Sequence, residues 1–263
     1  MDLGLKDRVA IVTGSSQGIG KAIAFGLAKE GARVTVCARN TETLRDASRE
    51  ITAATGSDVL PIRVDLREKE DIASMVKATV ETYGRIDILV NNSGGPPSRR
   101  FLETTEENWR SAIESLLMSV VNCSQGVIPY MKQNTWGRII NMTSFAAKQP
   151  AERLILSNAI RAGVLGLTKT LSYELAEYRI LVNAVCPGWT QTRRLEELAK
   201  VQAETSEGTY ETVIDEWAKN IPLKRLARPE EIANLVVFLS SYKASYITGA
   251  VIQVDGGFIK SLT

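Results

Sequence analysis

The sequence predicts an α/β domain: a doubly wound parallel sheet with helices on both faces. Three observations carry that expectation. Short β-branched apolar runs alternate with longer stretches of helical period along the chain, as repeated βαβ units require. The apolar runs are nearly continuous, which suits strands buried on both faces. No internal repeat, low-complexity tract or linker-like shift divides the 263 residues, so one domain over 1–263 is expected.

The elements follow in order. Val9-Ala10-Ile11-Val12 reads as the first strand, and a helix over 21–30 stops at Gly31, an apt C-terminal residue. A second strand covers 33–37 and a helix 41–54. Strand 58–64, helix 68–83, strand 86–90 and a long helix over 106–133 come next. Strand 137–142, helix 158–177, strand 181–185, helix 229–239 and strand 251–254 complete the alternation. The charged, helix-prone stretch 193–220 breaks the rhythm and reads as an excursion from the sheet.

Composition excludes several function classes. With Lys+Arg 32 against Asp+Glu 30 the formal net charge is +2, which gives no field able to gather nucleic acid or anionic membrane. No apolar run approaches a membrane span, and the first residues lack the layout of a secretory signal. Cys37, Cys123 and Cys186 have no metal-ligand spacing and sit among apolar neighbours, so buried free thiols, no metal and a reducing, cytoplasmic compartment are expected. The absence of histidine removes the commonest acid–base residue, leaving Tyr, Lys, Asp, Glu, Cys or water for proton chemistry.

Between the first strand and helix lies Thr13-Gly14-Ser15-Ser16-Gln17-Gly18-Ile19-Gly20. Glycines there let the turn tighten and the backbone approach a diphosphate, while amides at the helix start favour its charge. The second strand ends in Cys37-Ala38-Arg39-Asn40, with no carboxylate to bind an adenosine ribose and repel an added phosphate. Arg39 could clamp a 2′-phosphate, so NADP(H) is favoured over NAD(H); a solvated surface arginine is the other reading.

Taken together, these features make the sequence resemble the classical short-chain dehydrogenase/reductases, a Rossmann-type family, and in style the 3-oxoacyl-[acyl-carrier-protein] reductases. The match is carried by Thr13 to Gly20, Asp65-Leu66, Asn91-Asn92-Ser93-Gly94, Gly137-Arg138-Ile139-Ile140-Asn141, Pro187-Gly188 with Thr192, Tyr246-Ile247-Thr248-Gly249 and Val254-Asp255-Gly256-Gly257. The resemblance implies coenzyme contacts from Gly14, Ser16, Gly18, Ile19 and Gly20, and from Arg39. It also implies adenine contacts from Asp65 and Leu66, loop support from Asn91 and Gly94, and nicotinamide contacts around Pro187, Gly188 and Thr192.

The same resemblance implies a catalytic serine, tyrosine and lysine, with an asparagine on the preceding long helix completing a water relay. Ser144 matches the serine, but the tyrosine position holds Ser157 and the lysine position, four residues on, holds Arg161. Ala162-Gly163 onward fixes that register, and no tyrosine lies between Tyr130 and Tyr173. The asparagine position falls on Leu116. A phenol titrates near about 10, whereas an aliphatic hydroxyl is a far weaker acid. Arg161 stays protonated, so its use is electrostatic, and i, i+4 spacing puts it on one helix face with Ser157. Two readings stand for Ser144, substrate polariser or cap, and two for Arg161, anion binder or salt-bridge partner of a local carboxylate such as Glu152.

Two functions from different classes follow. One is an NADP(H)-dependent oxidoreductase in which Ser144, Ser157 and Arg161 grip an anionic or strongly polarised carbonyl substrate and water supplies the proton. The other is a catalytically inactive coenzyme-binding or assembly protein on the same fold. The stretch 193–220 follows Pro187-Gly188-Trp189, where the resemblance implies a substrate lid, and Gly95 to Arg100 is expected to face the pocket mouth. A homotetramer or homodimer is implied, through the helices around 106–133 and 158–177 and the last strand.

Overall fold

The computed structural model describes residues 1–206 and 208–262; positions 207, inside the expected lid, and 263 lie outside the described residues. Its centre is a seven-stranded sheet in the order β3-β2-β1-β4-β5-β6-β7, with every pairing parallel. The strands are β1 (Val9–Val12), β2 (Arg33–Ala38), β3 (Val59–Arg63), β4 (Ile88–Asn91), β5 (Gly137–Met142), β6 (Ile180–Pro187) and β7 (Val251–Val254). The order reverses between β1 and β4, and a crevice opens at the carboxyl ends of strands at such a switch point.

Helices α1 (Gly18–Lys29) and α9 (Pro229–Leu239) pack on one face, with Ile23, Leu27, Ile232 and Val236 buried against Val12, Val34 and Val90. On the other face α3 (Lys69–Tyr83) and α5 (Ser119–Gln133) bury Met75, Val76, Cys123 and Val127 against Ile11, Leu89 and Ile139. Alternate residues of β1 thus belong to opposite cores, the consequence of period-2 side chains on a doubly covered sheet. Helices α2 (Thr41–Thr55), α4 (Glu106–Ile113) and α6 (Ile155–Glu174) complete the flanks. All three cysteines are buried and free, and burial pushes the Cys37 thiol up to about 12.

Several boundaries depart from the sequence expectation. Helix α1 starts at Gly18 rather than 21, because the left-handed turn at Gly18 (φ 56°) leads straight into helix. Helix α6 starts at Ile155 rather than 158 and ends at Glu174, since a 3-10 turn and left-handed Arg179 (φ 57°) reverse the chain there. The long helix over 106–133 is interrupted by a π turn at Glu114–Met118. There the Ser115 hydroxyl donates to the Ser111 carbonyl (2.8 Å) and the Ser119 hydroxyl to that of Ser115 (2.7 Å), side-chain bonds that compete with the helical ladder. The excursion is two helices, α7 (Arg193–Ser206) and α8 (Tyr210–Asn220), around a small core of Leu195, Ala199, Val213, Trp217 and Ile221.

Candidate active site

A cleft of about 1030 Å³ lies over the carboxyl ends of β1, β2, β4, β5 and β6. At one end, Gly14 and Gly18 take left-handed conformations (φ 57° and 56°) that admit the tight turn. Gly20 is needed for a different reason: a Cβ there would stand 2.3 Å from the Gly14 carbonyl oxygen. Asn92 clamps this turn to β4, its side-chain nitrogen donating to the carbonyls of Thr13 (3.1 Å) and Gly14 (3.0 Å). Gln17 caps α1 through extended backbone without a side-chain bond, and the first turn carries no acidic residue. The amides at the start of α1, with Ser16 and Ile19 beside them, are therefore open to an anion in the cleft, a cradle that fits a coenzyme diphosphate.

At the outer end stand Arg39, Asp65, Leu66 and Arg67. Arg39 is exposed. Asp65 is held by Arg67 in a two-armed pair, Nε to Oδ1 at 3.0 Å and Nη2 to Oδ2 at 2.6 Å. The Arg67 hydrogen bond keeps the Asp65 carboxyl below its ordinary value, with burial opposing and Arg39 adding a small pull in the same direction. Arg67 escaped the sequence reading; its position two residues after an acidic residue in a strand–helix loop was the available signal.

Asn91 does not reach the cleft. It is buried beneath it, donating to the Asn141 side chain (2.9 Å), which in turn donates to the Thr168 hydroxyl (2.8 Å). The loop support expected of Asn91 is supplied by its neighbour Asn92, because successive residues at a strand end point to opposite sides. Gly94, Pro187, Gly188 and Thr192 line the cleft. Gly188 lies so close to β7 that a Cβ would meet the Asp255 Cα at 2.7 Å. The Thr192 hydroxyl accepts from the Leu195 amide (3.3 Å) and so starts α7.

At the inner end Ser144, Ser157 and Arg161 come together on the cleft wall. The Ser144 side chain accepts from the Ala146 amide at 3.1 Å and caps a 3-10 turn, Phe145–Ala147. The Ser157 hydroxyl accepts from Arg161 Nε at 3.1 Å. Arg161 also donates through Nη1 to the carbonyls of Met142 and Thr143 (both 3.2 Å) and through Nη2 to Gly94 (3.3 Å), linking α6 to the ends of β5 and β4. It is not paired with Glu152, which is exposed and bonded to Arg100 instead. Burial, reinforced by nearby Arg194, lowers the Arg161 pKa to about 10, with Cys186 opposing. The guanidinium is thus cationic at neutral pH, buried, and solvated by neutral carbonyls.

Leu116 turns away from the cleft into an apolar cluster with Ala112, Leu156 and Ile160. From that helix Asn108, Ser111, Ala112 and Ser115 line the cleft, and its three polar members form a stripe at helical spacing that the sequence reading passed over. Among the described residues of the expected lid, α7 reaches the cleft, through Arg193, Arg194, Leu195, Glu197 and Leu198; α8 packs behind it, where Trp217 stacks on Trp189 at 4.1 Å. Gly95, Pro96 and Pro97 line the mouth, whereas Arg99 and Arg100 do not. Among the described residues no cluster of potential metal ligands occurs, and no helix is long and apolar enough to cross a membrane.

Comparison with known proteins agrees with this fold. The family described as enoyl-(acyl carrier protein) reductase matches residues 14–259. The chain is 36% identical to the 3-oxoacyl-[acyl-carrier-protein] reductase FabG of Thermotoga maritima over 97% of this chain and 99% of that one. It is 37% identical to the short chain dehydrogenase/reductase astE of Aspergillus oryzae, over 96% and 95% of the two chains. The solved structure of L-sorbose reductase from Gluconobacter frateurii, complexed with NADPH and L-sorbose, superimposes with a TM-score of 0.95 at 36% identity over the whole of both chains. An actinorhodin polyketide ketoreductase with NADPH gives 0.93 at 36% identity, covering 97% and 98%.

Proposed function

The chain belongs to the short-chain dehydrogenase/reductase family, and from that premise we propose that it is an NADP(H)-dependent oxidoreductase in which Ser157 and Arg161 take over the work of the usual tyrosine and lysine. The observation that carries this reading is the 3.1 Å bond from Arg161 Nε to Ser157 Oγ. A hydroxyl that accepts one hydrogen bond keeps its own proton to donate. A cation on its oxygen makes that proton a better donor, so Ser157 polarises a carbonyl in the cleft it lines.

The coenzyme would be held by the amides opening α1, by Asn92-clamped Gly14, and by Asp65 and Leu66 at the adenosine end. When bound, the nicotinamide supplies a hydride. Arg39, with Arg67 beside Asp65, gives the outer end two guanidinium groups and supports NADP(H) over NAD(H). Among the described residues no histidine, tyrosine or lysine lines the cleft, and the carboxylates that do, Asp65 and Glu197, lie beside arginines, so water delivers the proton. Losing a positioned general acid costs about 10²- to 10⁴-fold in rate, which makes this a slow reductase or one for an activated carbonyl.

The second reading, a coenzyme-binding protein without turnover, is favoured by one observation: Arg161 spends most of its donors on backbone carbonyls. Fluorescence titration with NADPH and NADH, followed by a carbonyl panel, separates the two. The expected result is tighter NADPH binding with slow, coenzyme-dependent reduction that Ser157→Ala lowers about 10²-fold. Tight binding with no turnover would establish the second reading, and no coenzyme binding would overturn both. Exposed Ile113, Met118 and Tyr173 on α4, the π turn and α6 support a homotetramer or homodimer built on those helices, and sedimentation tests it.

A further inference from the structure

Two guanidinium groups meet one short strip of backbone on the wall of the cleft. Arg161, from α6, donates to the carbonyl of Gly94, and Arg194, from α7, donates through Nη2 to that of Pro96. The residue between them, Gly95, lies against the second guanidinium: a Cβ there would stand 2.6 Å from Arg194 Nε and 3.0 Å from its Cζ. Three consecutive residues span about 7 Å. Both cations are therefore fixed on the same small stretch of cleft wall, and both line the cleft.

Neither cation has a close carboxylate partner of its own there. Among the described residues Arg161 has no salt bridge, and the carboxylate nearest Arg194 is Glu197, 3.8 Å from Nη1. Glu197 lies closer to Arg193, 3.3 Å from its Nε, and is half exposed. Burial lowers the pKa of Arg194 despite the opposing pull of Glu197. Among the described residues, Arg194 Nε and Nη1 make no hydrogen bond, so part of its fork of donors is open in the cleft. A partly desolvated cation in the wall of a cleft, with donors that make no hydrogen bond, matches a carboxylate, which accepts two parallel bonds. Arg161 has at most one N–H left, so the pair matches a single negative charge.

We propose that the substrate is an oxo acid, with its free carboxylate taken by Arg194 and its carbonyl oxygen by Ser157. This rests on the reading of the cleft as a reductase site and names the compound it holds. In the reaction the carbonyl carbon gains a hydride from the reduced nicotinamide coenzyme, the C=O π pair moves onto oxygen, and that oxygen takes a proton from water. The product is the corresponding hydroxy acid, and the coenzyme leaves oxidised. Arg194 remains a cation throughout and neither gives nor takes a proton. Because α7 carries Arg194, a bound carboxylate also ties this helix to the wall formed by Gly94 to Pro96.

Trp189, in the cleft wall, provides a readout that needs no turnover. Its fluorescence is followed while the protein is titrated with acetoacetate, 2-oxobutanoate and their methyl esters. The acids bind about tenfold to a hundredfold more tightly than the esters, the range for a charge-assisted bond. Arg194→Met abolishes that preference, and Arg194→Lys, which keeps the charge without the fork, retains part of it. Equal affinity for acid and ester, or no binding of either acid, overturns the proposal; so does a preference that survives Arg194→Met, or tighter binding of inorganic phosphate than of both acids. NADPH titration of the same variants shows that each is folded. Lost NADPH affinity with an unchanged acid preference would assign Arg194 to the coenzyme diphosphate and also overturn the proposal. Acid-selective binding with no turnover sinks the reductase reading alone.

Discussion

Arg161 Nε donates to the Ser157 Oγ at 3.1 Å, one helical turn back on α6, and the two side chains form a hydroxyl–cation pair on the wall of the cleft. The pair has the same chemical logic as a phenol beside an ammonium, a donor made more acidic by a fixed charge, with a much weaker acid in the donor's place. Removing the hydroxyl should therefore cost transition-state stabilisation and leave coenzyme binding alone. Ser157→Ala is expected to lower kcat for carbonyl reduction about 10²-fold with NADPH affinity unchanged, measured by stopped-flow and fluorescence titration. The double substitution Ser157→Tyr with Arg161→Lys should raise the rate above that of the parent; an unchanged rate would mean that the pocket, rather than the proton route, sets the speed.

Arg161 is also a structural tie. Its removal leaves the carbonyls of Met142, Thr143 and Gly94 short of donors in a buried place. Arg161→Met is expected to destabilise the fold by about 3 kcal/mol, read from the midpoint of urea unfolding. Arg161→Lys should recover part of that loss, because one ammonium reaches fewer of the three carbonyls than the guanidinium.

Gly20 tests the coenzyme cradle. Since a Cβ would lie 2.3 Å from the Gly14 oxygen and 2.7 Å from the Asn92 side-chain nitrogen, the turn has to open to accommodate Gly20→Ala. A stability loss of about 2 kcal/mol and loss of NADPH binding are expected, the first by denaturation and the second by fluorescence.

Arg39 tests the coenzyme preference. Arg39→Ala should weaken NADPH binding by about tenfold or more while leaving NADH affinity unchanged, since only the former carries a 2′-phosphate. Equal losses for both would place Arg39 outside phosphate recognition.

Glu231 gives a pH dependence of known sign. It accepts both arms of Arg225 (2.7 Å each) and the Arg228 amide at the start of α9, and the Arg225 bonds bring its pKa from 4.5 down to about 2. A carboxyl whose folded pKa is depressed stabilises the protein above its unfolded value and loses that contribution as pH falls through the folded one. The stability difference between the parent and Glu231→Gln should be constant above about pH 4.5, shrink below it and vanish near about pH 2, measured by urea unfolding across that range.

The fold was legible because its signal is local and repeated. Val9 to Val12, Gly137 to Met142 and Val251 to Val254 read as strands from their apolar runs, and Pro229 opening α9 marked a helix start. Gly14, Gly18 and Gly20 pointed to the cradle because the turn needs those residues at that spacing. Less legible was which of two adjacent residues faces the cleft. Asn91 and Asn92 are chemically identical, and only the pleat of β4 sends one down to Asn141 and the other up to Gly14. Likewise Leu116 marked a position rather than a wall: Ser111 on α4 and Ser115 in the π turn line the cleft, while Leu116 lies in the apolar cluster.

By itself the sequence determined the parallel α/β architecture, the diphosphate cradle and the presence of Ser157 and Arg161 where a phenol and an ammonium were expected, since each depends on residue type and spacing along one chain. Tertiary structure alone decided what Arg161 does. Its partners Met142, Thr143 and Gly94 lie on other elements, and Glu152, near in sequence, is drawn off to Arg100 at the surface. It also decided that Arg194, 33 residues further along, faces the same strip of loop. A buried cation takes whatever acceptors the packing brings within reach, and packing joins segments that the linear order keeps apart.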